Sequence, residues 1–289
     1  MTRIAVLTPD PADPSYANQW PGVRDRLAAA LALEGIEAVA TPWTDHISDA
    51  SGLAGYPLIL PMIVWGYHRD HRRWLKACAA WTAAELPLAN PASVLAWNSD
   101  KTYLARLAAR GVPMPETIWS EGVTADTVAA AFASTGADQL IAKPTVSGGA
   151  WRTLRLSPGQ PVTGAPEGSA MIQPYLPTIE TAGETSLLFF GGRFSHAVNK
   201  RPVGGDFRIQ VQYGGLYTPV AEPPAGAMVL AQQVLAAIDE PLLYARIDMV
   251  PDADGRWLLM EAELIEPDTY LEHAPDVGAG LARAVRARL

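Results

Sequence analysis

Two apolar segments near the C-terminus carry charged residues at alternate positions: residues 243–250 and 256–264. Alternate side chains of a strand share one face, so Arg246 should lie beside Asp248. For the same reason, Glu261 should lie beside Glu263. A charge buried in an apolar strand is unfavourable unless it is paired or bound to a ligand. If the two strands form a hairpin, one of its faces presents three carboxylates and an arginine.

Three neighbouring carboxylates repel one another unless a cation lies among them. Ligand sets made only of oxygen favour Mg²⁺ or Mn²⁺ over zinc, and Mg²⁺ in nucleotide sites is held by carboxylates together with phosphate oxygens. We therefore predict a metal site at Asp248, Glu261 and Glu263. The alternative is an exposed hairpin with a polar outer face, which Arg246 on the first strand makes less favourable.

Two lysines are placed to meet phosphates. Lys101 lies near the start of a predicted helix over 100–109, and Lys143 ends the apolar strand predicted over 139–144. The loop after Lys143 is small and rich in glycine, so its backbone N–H groups can approach phosphate oxygens closely. It contains Ser147, Gly148 and Gly149. The segment lacks the Walker pattern, which excludes a P-loop fold.

The first 92 residues alternate between apolar runs and helical patterns, which predicts a small open parallel sheet. The predicted strands are 4–7, 36–40 and 58–64, and the predicted helices are 23–34 and 72–82. The side chains predicted to face inward are Leu27, Ala30, Leu31, Trp74, Leu75, Cys78 and Trp81. Such sheets bind ligands at the carboxyl ends of their strands. Asp10, Tyr16 and residues 65–68 are therefore candidate substrate contacts, with plain surface loops as the alternative.

The rest of the chain reads as mixed helices and strands. Asn90-Pro91 marks a predicted boundary, and Gly191-Gly192 predicts a hairpin between strands 185–190 and 193–198. Further predicted elements are helices 124–134 and 227–238, strand 170–173 and a C-terminal helix. The overall prediction is an α/β (α+β) protein.

Composition excludes several classes of function. The chain has 289 residues and a net charge of −8, so neither nucleic acid nor a membrane surface is an expected partner. A short basic segment, residues 68–73, is interpreted as a solvated helix start. One cysteine permits no internal disulfide, and no run approaches a membrane span of about 20 apolar residues. We expect a cytoplasmic protein that forms a homodimer.

The order of these features resembles the ATP-grasp superfamily: two lysines, a glycine-rich loop, a Gln-Pro-Tyr-Leu hinge at 173–176, and then Asp and Glu-x-Glu on late strands. The likeness covers residues from about 90 to 270. It implies an N-terminal open parallel α/β domain (1–92) and two β-rich lobes that clasp ATP (93–172 and 173–289). The stretch 184–198, with 200–202, 205–208 and 263–267, is similar to a bacterial subgroup related to glutathione-synthetase-type ligases. That subgroup includes the cyclo-ligase that closes O-ureido-serine to cycloserine, an antibiotic.

The resemblance assigns roles to individual residues. Lys101 and Lys143 would hold ATP phosphates, and Ser147, Gly148 and Gly149 would form the loop over them. Adenine would bind at the hinge residues Gln173, Tyr175 and Leu176. After the hinge, Glu180 would bind the ribose and Glu184 would also face the nucleotide. The metal ligands would be Asp248, Glu261 and Glu263, the last standing where the superfamily usually has asparagine.

These assignments imply that a substrate carboxyl oxygen is phosphorylated and that an amine then displaces the phosphate. Arg246 would reach the γ-phosphate or the acyl phosphate. Lys200, Arg201 and Arg208 would hold the carboxylate of a small amino-acid-like substrate, since arginine suits bidentate binding. Gly204-Gly205 would let the loop 200–208 close as a lid.

Three alternatives are weighed at this point. A small-molecule kinase would use the same phosphate-handling residues and would yield a stable phosphorylated product. A non-catalytic nucleotide-binding protein is disfavoured by the intact lysine pair and carboxylates. Ligation between two molecules is equally compatible with these residues.

Overall fold

The structure is a computed structural model that describes residues 1–204, 207–210 and 213–289. Its N-terminal unit is the predicted parallel sheet, in the strand order β2-β1-β3. The elements are β1 (Thr2–Thr8), α1 (Trp20–Ala32), β2 (Ile36–Pro42), β3 (Ile59–Leu60) and α2 (His71–Ala83). Strand β3 is much shorter than the predicted run over 58–64.

Helical spacing correctly predicts most of the inward side chains of α1 and α2. All of the predicted ones are buried except Leu75, which is 39% exposed. Leu75 follows Trp74 directly, so it lies about 100° further around the helix, at the edge of the apolar face. Cys78 is packed as expected, and burial raises the pKa of its thiol to about 12.

The second unit is an antiparallel sheet in the order β4-β7-β5-β6. Two of its strands, β4 and β6, are three residues long and were not predicted, since so short a segment carries no clear periodicity. Its elements are β4 (Ile118–Ser120), α5 (Ala125–Thr135), β5 (Leu140–Pro144), β6 (Leu154–Leu156) and β7 (Ala170–Pro174). Strand β5 ends beside Lys143 and thereby fixes the start of the glycine-rich loop.

The third unit is an antiparallel sheet in the order β10-β9-β8-β11-β12. It contains both predicted hairpins, one around Gly191-Gly192 and one formed by the two charged strands. Its strands are β8 (Glu184–Phe190), β9 (Arg193–Arg201), β10 (Leu216–Val220), β11 (Tyr244–Pro251) and β12 (Trp257–Glu263). The remaining helices are α3 (Ala92–Asn98), α4 (Tyr103–Ala109), α6 (Thr178–Thr181), α7 (Ala225–Ala236) and α8 (Ala279–Arg286). None of the helices in the described ranges is long and apolar enough to cross a membrane.

Helices α3 and α4 share a core with the third unit. Val94, Leu104 and Leu107 pack in one cluster with α7, β11 and β12. Helix α8 packs against α1 and the N-terminal sheet. The chain therefore crosses between units several times, and the predicted division after residues 92 and 172 stays a prediction.

Asn90, at the predicted boundary, ties the first unit to the third. Its fully buried amide donates to the carbonyls of Tyr244 and Leu264 at 2.9 and 2.8 Å and accepts from the N–H of Leu243 at 2.7 Å. Asn90→Ala would leave these groups unsatisfied, so we expect the free energy of unfolding to fall by about 3 kcal/mol. Denaturant unfolding of the purified variant measures this change.

Gln233→Ala is the matched control for Asn90→Ala. The Gln233 amide also donates to a carbonyl, that of Gly111 at 2.8 Å, but it does so at an exposed position where water can replace it. Its loss should cost no more than about 1 kcal/mol. Equal effects of the two substitutions would contradict a joining role for Asn90.

Candidate active site

A cleft of about 920 Å³ lies where the three units meet. Most of the predicted site residues line it: Lys101, Lys143, Ser147, Gly148, Gly149, Gln173, Tyr175, Leu176, Glu184, Lys200, Arg208, Arg246, Asp248, Glu261 and Glu263. Two predicted residues, Glu180 and Arg201, are not among the lining residues. Residues more than 150 positions apart in the sequence thus face the same space.

The charged face of β11 and β12 forms one wall of this cleft. The strands pair in antiparallel register, with Arg246 opposite Glu263 and Asp248 opposite Glu261. The Arg246 guanidinium donates to Asp248 at 3.0 Å and also to Glu263. Ser186, on the neighbouring strand β8, donates to Asp248 at 2.5 Å. The predicted face with three carboxylates and an arginine is confirmed.

Burial and neighbouring charges give the carboxyl groups of Asp248 and Glu263 very different pKa values. Burial raises the pKa of Asp248, but the positive charges of Arg246 and Lys200 outweigh it and hold that pKa at about 2. At Glu263, burial and the negative charges of Asp248 and Glu261 outweigh Arg246 and raise the pKa to about 7. Asp248 is therefore a permanent anion, whereas Glu263 is poised to gain or lose a proton near neutral pH.

The two predicted phosphate-binding lysines have different environments. Lys101 Nζ lies 2.8 Å from a Glu261 oxygen and 3.3 Å from the Ser147 carbonyl, so it joins β12 to the glycine-rich loop. Lys143 forms no ion pair among the residues that the structure describes, and burial lowers the pKa of its ammonium. An anionic ligand in the cleft would supply the partner that Lys143 lacks.

No three acidic, histidine or cysteine side chains in the described ranges are grouped closely enough to hold one metal ion. The physical reason is that the three predicted ligands already have cationic partners: Lys101 for Glu261, and Arg246 for Asp248 and Glu263. Their donor atoms are nevertheless all oxygens on one wall, which suits Mg²⁺. The residues fit such an ion if Glu261 and Glu263 turn away from their partners.

The hinge after β7 differs in part from the prediction. Tyr175 and Leu176 line the cleft as predicted, but the Glu180 carboxylate accepts from the Tyr175 hydroxyl at 2.5 Å and from Arg155 at 3.1 Å. The Arg155 guanidinium stacks 3.9 Å from the centre of the Tyr175 ring. These two neighbours hold the carboxylate of Glu180, which does not line the cleft, and its role at the ribose stays a prediction. No spacing pattern pointed to Arg155.

Lys200 and Arg201 lie on opposite faces of β9. Lys200 is only 3% exposed and contacts Glu184 at 2.6 Å and Asp248 at 3.3 Å, so it belongs to the buried charge network of the cleft. Arg201 points outward and donates to Asn199 at 3.0 Å. Strand β9 extends beyond its predicted end at 198, and strand alternation therefore separates two side chains that were predicted to act together.

The predicted lid is described only in part. Arg208 lines the cleft, with its guanidinium 3.6 Å from the centre of the Tyr213 ring. Gly205, half of the predicted glycine hinge, and Asp206, in the 205–208 motif, lie outside the described residues. The lid therefore stays a prediction.

The N-terminal unit contributes the opposite wall. Tyr16 and residues 65–68 line the cleft as predicted, whereas Asp10 does not and lies 3.7 Å from Arg73. The His68 ring packs so closely on the glycine-rich loop that a Cβ at Gly148 would lie 3.0 Å from it. Residues missed by the sequence analysis also line the cleft: Glu266, Asp268, Tyr217 and Tyr270. The sequence did carry a signal that Glu266 belongs to the site, because Glu266 is the other acid, besides Glu263, of the 263–267 motif.

Solved structures with this architecture are ATP-grasp ligases. The D-alanine–D-alanine ligase of Bacillus anthracis, complexed with ATP, has a TM-score of 0.70 at 17% identity over 100% of this chain and 99% of its own. The ATP-grasp ligase PsnB, complexed with minimal precursor, Mg and ADP, has a TM-score of 0.66 at 16% identity over 99% and 96%. The chain thus has the fold of ATP-grasp ligases. With its likeness to DcsG and to the glutathione synthetase of Prochlorococcus marinus, which is 28% identical over 70% of this chain and 64% of its own length, this defines the class as an ATP-dependent ligase.

Within that class, the chain is similar throughout its length to D-cycloserine synthetase DcsG. Residues 4–90 match the family model for the N-terminal domain of that synthetase. The cycloserine biosynthesis protein DcsG of Streptomyces lavendulae is 29% identical over 91% of this chain and 92% of its own length. The crystal structure of D-cycloserine synthetase DcsG has a TM-score of 0.82 at 25% identity and covers 99% of both chains.

Proposed function

We propose that the chain transfers the γ-phosphate of ATP to a carboxyl oxygen of a small amino-acid-like substrate, and that a nitrogen of the same molecule then closes a ring. In the first step a P–O bond to ADP breaks and a bond from phosphorus to the carboxyl oxygen forms. In the second step the nitrogen attacks the carbonyl carbon, inorganic phosphate leaves and the nitrogen loses a proton. The supporting observation is the convergence of two lysines and the acid-bearing strand pair in one cleft.

The residues of the cleft suit these steps. Lys143, which has no acidic partner among the described residues, and Lys101 would neutralise phosphate charge. The backbone of the loop 147–149 would lie over the phosphates. Adenine would bind at the hinge formed by Tyr175 and Leu176. Mg²⁺, for which Mn²⁺ can substitute, would be held by carboxylates on β11 and β12 and would neutralise phosphate charge when bound.

Arg246 is the best-placed cation for the substrate carboxyl group. It is buried on β11 beside Asp248, and its planar guanidinium matches the geometry of a carboxylate or an acyl phosphate. Its position among fixed partners would keep it aimed at charge that develops during transfer. Arg208, across the cleft, would supply a second contact.

Ring closure is favoured over ligation of two molecules by the likeness to DcsG, whose name describes synthesis of D-cycloserine. A serine derivative carrying an O-ureido group, the substrate that the sequence resemblance implies, would fit the proposal. Attack by its O-bound nitrogen would form the ring with the carbamoyl group still on that nitrogen, and water would then have to remove this group as carbamate if the product is cycloserine. We further propose a cytoplasmic location, where ATP is supplied.

The test is an ADP-release assay with D- and L-O-ureido-serine, followed by mass analysis of the products. We expect ADP, phosphate and a cyclised product, all dependent on Mg²⁺. A stable phosphorylated product would identify a kinase instead. A product formed only when an external amine is added would replace cyclisation by intermolecular ligation.

A further inference from the structure

Glu266 is an acid of the cleft whose carboxyl group has no ion-pair partner and no hydrogen-bond donor other than its own backbone N–H. This holds for residues 1–204, 207–210 and 213–289. The other acids of the cleft are satisfied: Glu184 by Lys200, Glu261 by Lys101, Asp248 and Glu263 by Arg246, and Asp268 by the backbone N–H of Tyr270. Glu266 is therefore the acid left over when the charges of the cleft are paired.

Glu266 lies between the N-terminal unit and the acid-bearing strands β11 and β12. Burial, together with the negative charge of Glu266, raises the pKa of both Tyr67 and Tyr16 on the N-terminal wall. Glu266 also follows Glu263 by three residues, so their Cα atoms are at most about 10 Å apart. A group bound at Glu266 would thus lie between the tyrosines and the site of phosphoryl transfer.

The nearby cations are occupied elsewhere. Arg69 lines the cleft, but its guanidinium donates to Asp13 at 2.7 Å and to Ser15 at 2.9 Å. Burial, assisted by the charges of Arg69 and Lys101, lowers the pKa of His68 to about 4, so its ring is uncharged at neutral pH. Burial, together with the negative charges of Glu263 and Glu261, raises the pKa of Glu266 well above its ordinary range, so the carboxyl group resists ionisation. A cationic ligand beside it would favour the charged form.

The surroundings fit an ammonium group. Aromatic faces attract cations, and Trp65 lies on the same wall with its ring 5.7 Å from that of Tyr16. The Arg69 guanidinium already lies 5.0 Å from the centre of the Tyr16 ring, so this wall accommodates positive charge. An α-amino acid carries its ammonium group one carbon away from its carboxyl group, so both can bind within one small space. We propose that Glu266 binds the free α-ammonium group of the amino-acid substrate, an inference that rests on the proposed function. Amino acids with a blocked amine should then be poor ligands.

The experiment compares the binding of free and N-acetylated O-ureido-D-serine, D-serine and D-cycloserine by calorimetry, with Mg²⁺ and ADP present. The native protein should bind the free forms about 10- to 100-fold more tightly, as expected for a charge-assisted hydrogen bond. Glu266→Gln should abolish this preference without changing the affinity for ADP. Glu272→Gln is the control, because Glu272 is an acid of the same C-terminal segment that pairs with Arg26 at 3.4 Å and does not line the cleft.

Thermal unfolding without ligand separates binding from a structural role. Because the substitution breaks no ion pair and replaces a buried carboxyl group by an amide of the same shape, Glu266→Gln should melt no lower than the native protein. A preference for free amines that survives in Glu266→Gln would overturn the role of Glu266 and leave the proposed function intact. If the native protein binds ADP but none of these amino acids, both the proposed function and this inference fail.

Discussion

Arg246→Met is expected to lower turnover about 100- to 1,000-fold, the loss typical when a preorganised donor to a charged transition state is removed. The guanidinium contacts Asp248, Glu263 and the Asp268 carbonyl, and it lies 5.2 Å from the centre of the Tyr270 ring. A methionine fills similar volume but leaves Glu263 without a cation. Breaking such a buried pair costs about 3–5 kcal/mol, so the variant should also unfold at a lower denaturant concentration.

The measurement needs both steady-state ADP release and denaturant unfolding, taken at a temperature where the variant is folded. Arg256→Met is the matched control, because Arg256 sits at the turn of the same hairpin with its side chain 74% exposed and pairs with Asp252 at 2.9 Å. Surface pairs of this kind contribute about 0–1 kcal/mol, so neither quantity should change much. Native turnover in Arg246→Met would show that the guanidinium does not contact the reacting group.

The alternation of side chains along strands was sufficient to predict the charged face of β11 and β12 that forms one wall of the cleft. Asp248 and Glu261 are 13 positions apart, yet they lie opposite each other because the pairing is regular over residues 246–248 and 261–263. The register shifts only between Asp248 and Met249, outside the predicted face. The Gly191-Gly192 hairpin was predicted from its turn residues instead. Lysines at a helix start and a strand end could be placed because the neighbouring apolar runs fix where those elements begin and end.

Strand alternation did not predict which side chains face the cleft where this depends on the end of a strand or on a side-chain rotamer. Ending β9 at residue 198 hid the inward position of Lys200 and the outward position of Arg201. The orientation of the Glu180 side chain depends on its hydrogen bonds with Tyr175 and Arg155, which lie in different parts of the chain. Glu266 lies after β12, where no periodicity assigns a face. Such contacts depend on tertiary structure and have no local signature in the sequence.

Glu261→Gln is expected to reduce turnover about 1,000-fold, equivalent to about 4 kcal/mol of transition-state stabilisation. The amide keeps the shape of the side chain but removes a negative oxygen ligand from the proposed metal site. The Mg²⁺ concentration for half-maximal activity should rise, whereas nucleotide affinity should change less because Lys143 remains. Glu37→Gln, which alters a surface carboxylate 3.5 Å from Arg3 on the N-terminal sheet, is the control. An unchanged Mg²⁺ dependence would contradict metal binding by Glu261.

A second variant separates the metal role of Glu261 from its ion pair with Lys101. Without ligand, Glu261→Gln leaves a buried ammonium unpaired, and we expect a loss of about 3 kcal/mol of unfolding free energy. Lys101→Met combined with Glu261→Gln removes both charges, so part of that stability should return, as coupled sites are not additive. Turnover should not return with it, because the double variant still lacks the proposed metal ligand and also lacks one of the two lysines proposed to bind phosphate. Recovery of activity together with stability would mean that Glu261 serves only to hold Lys101.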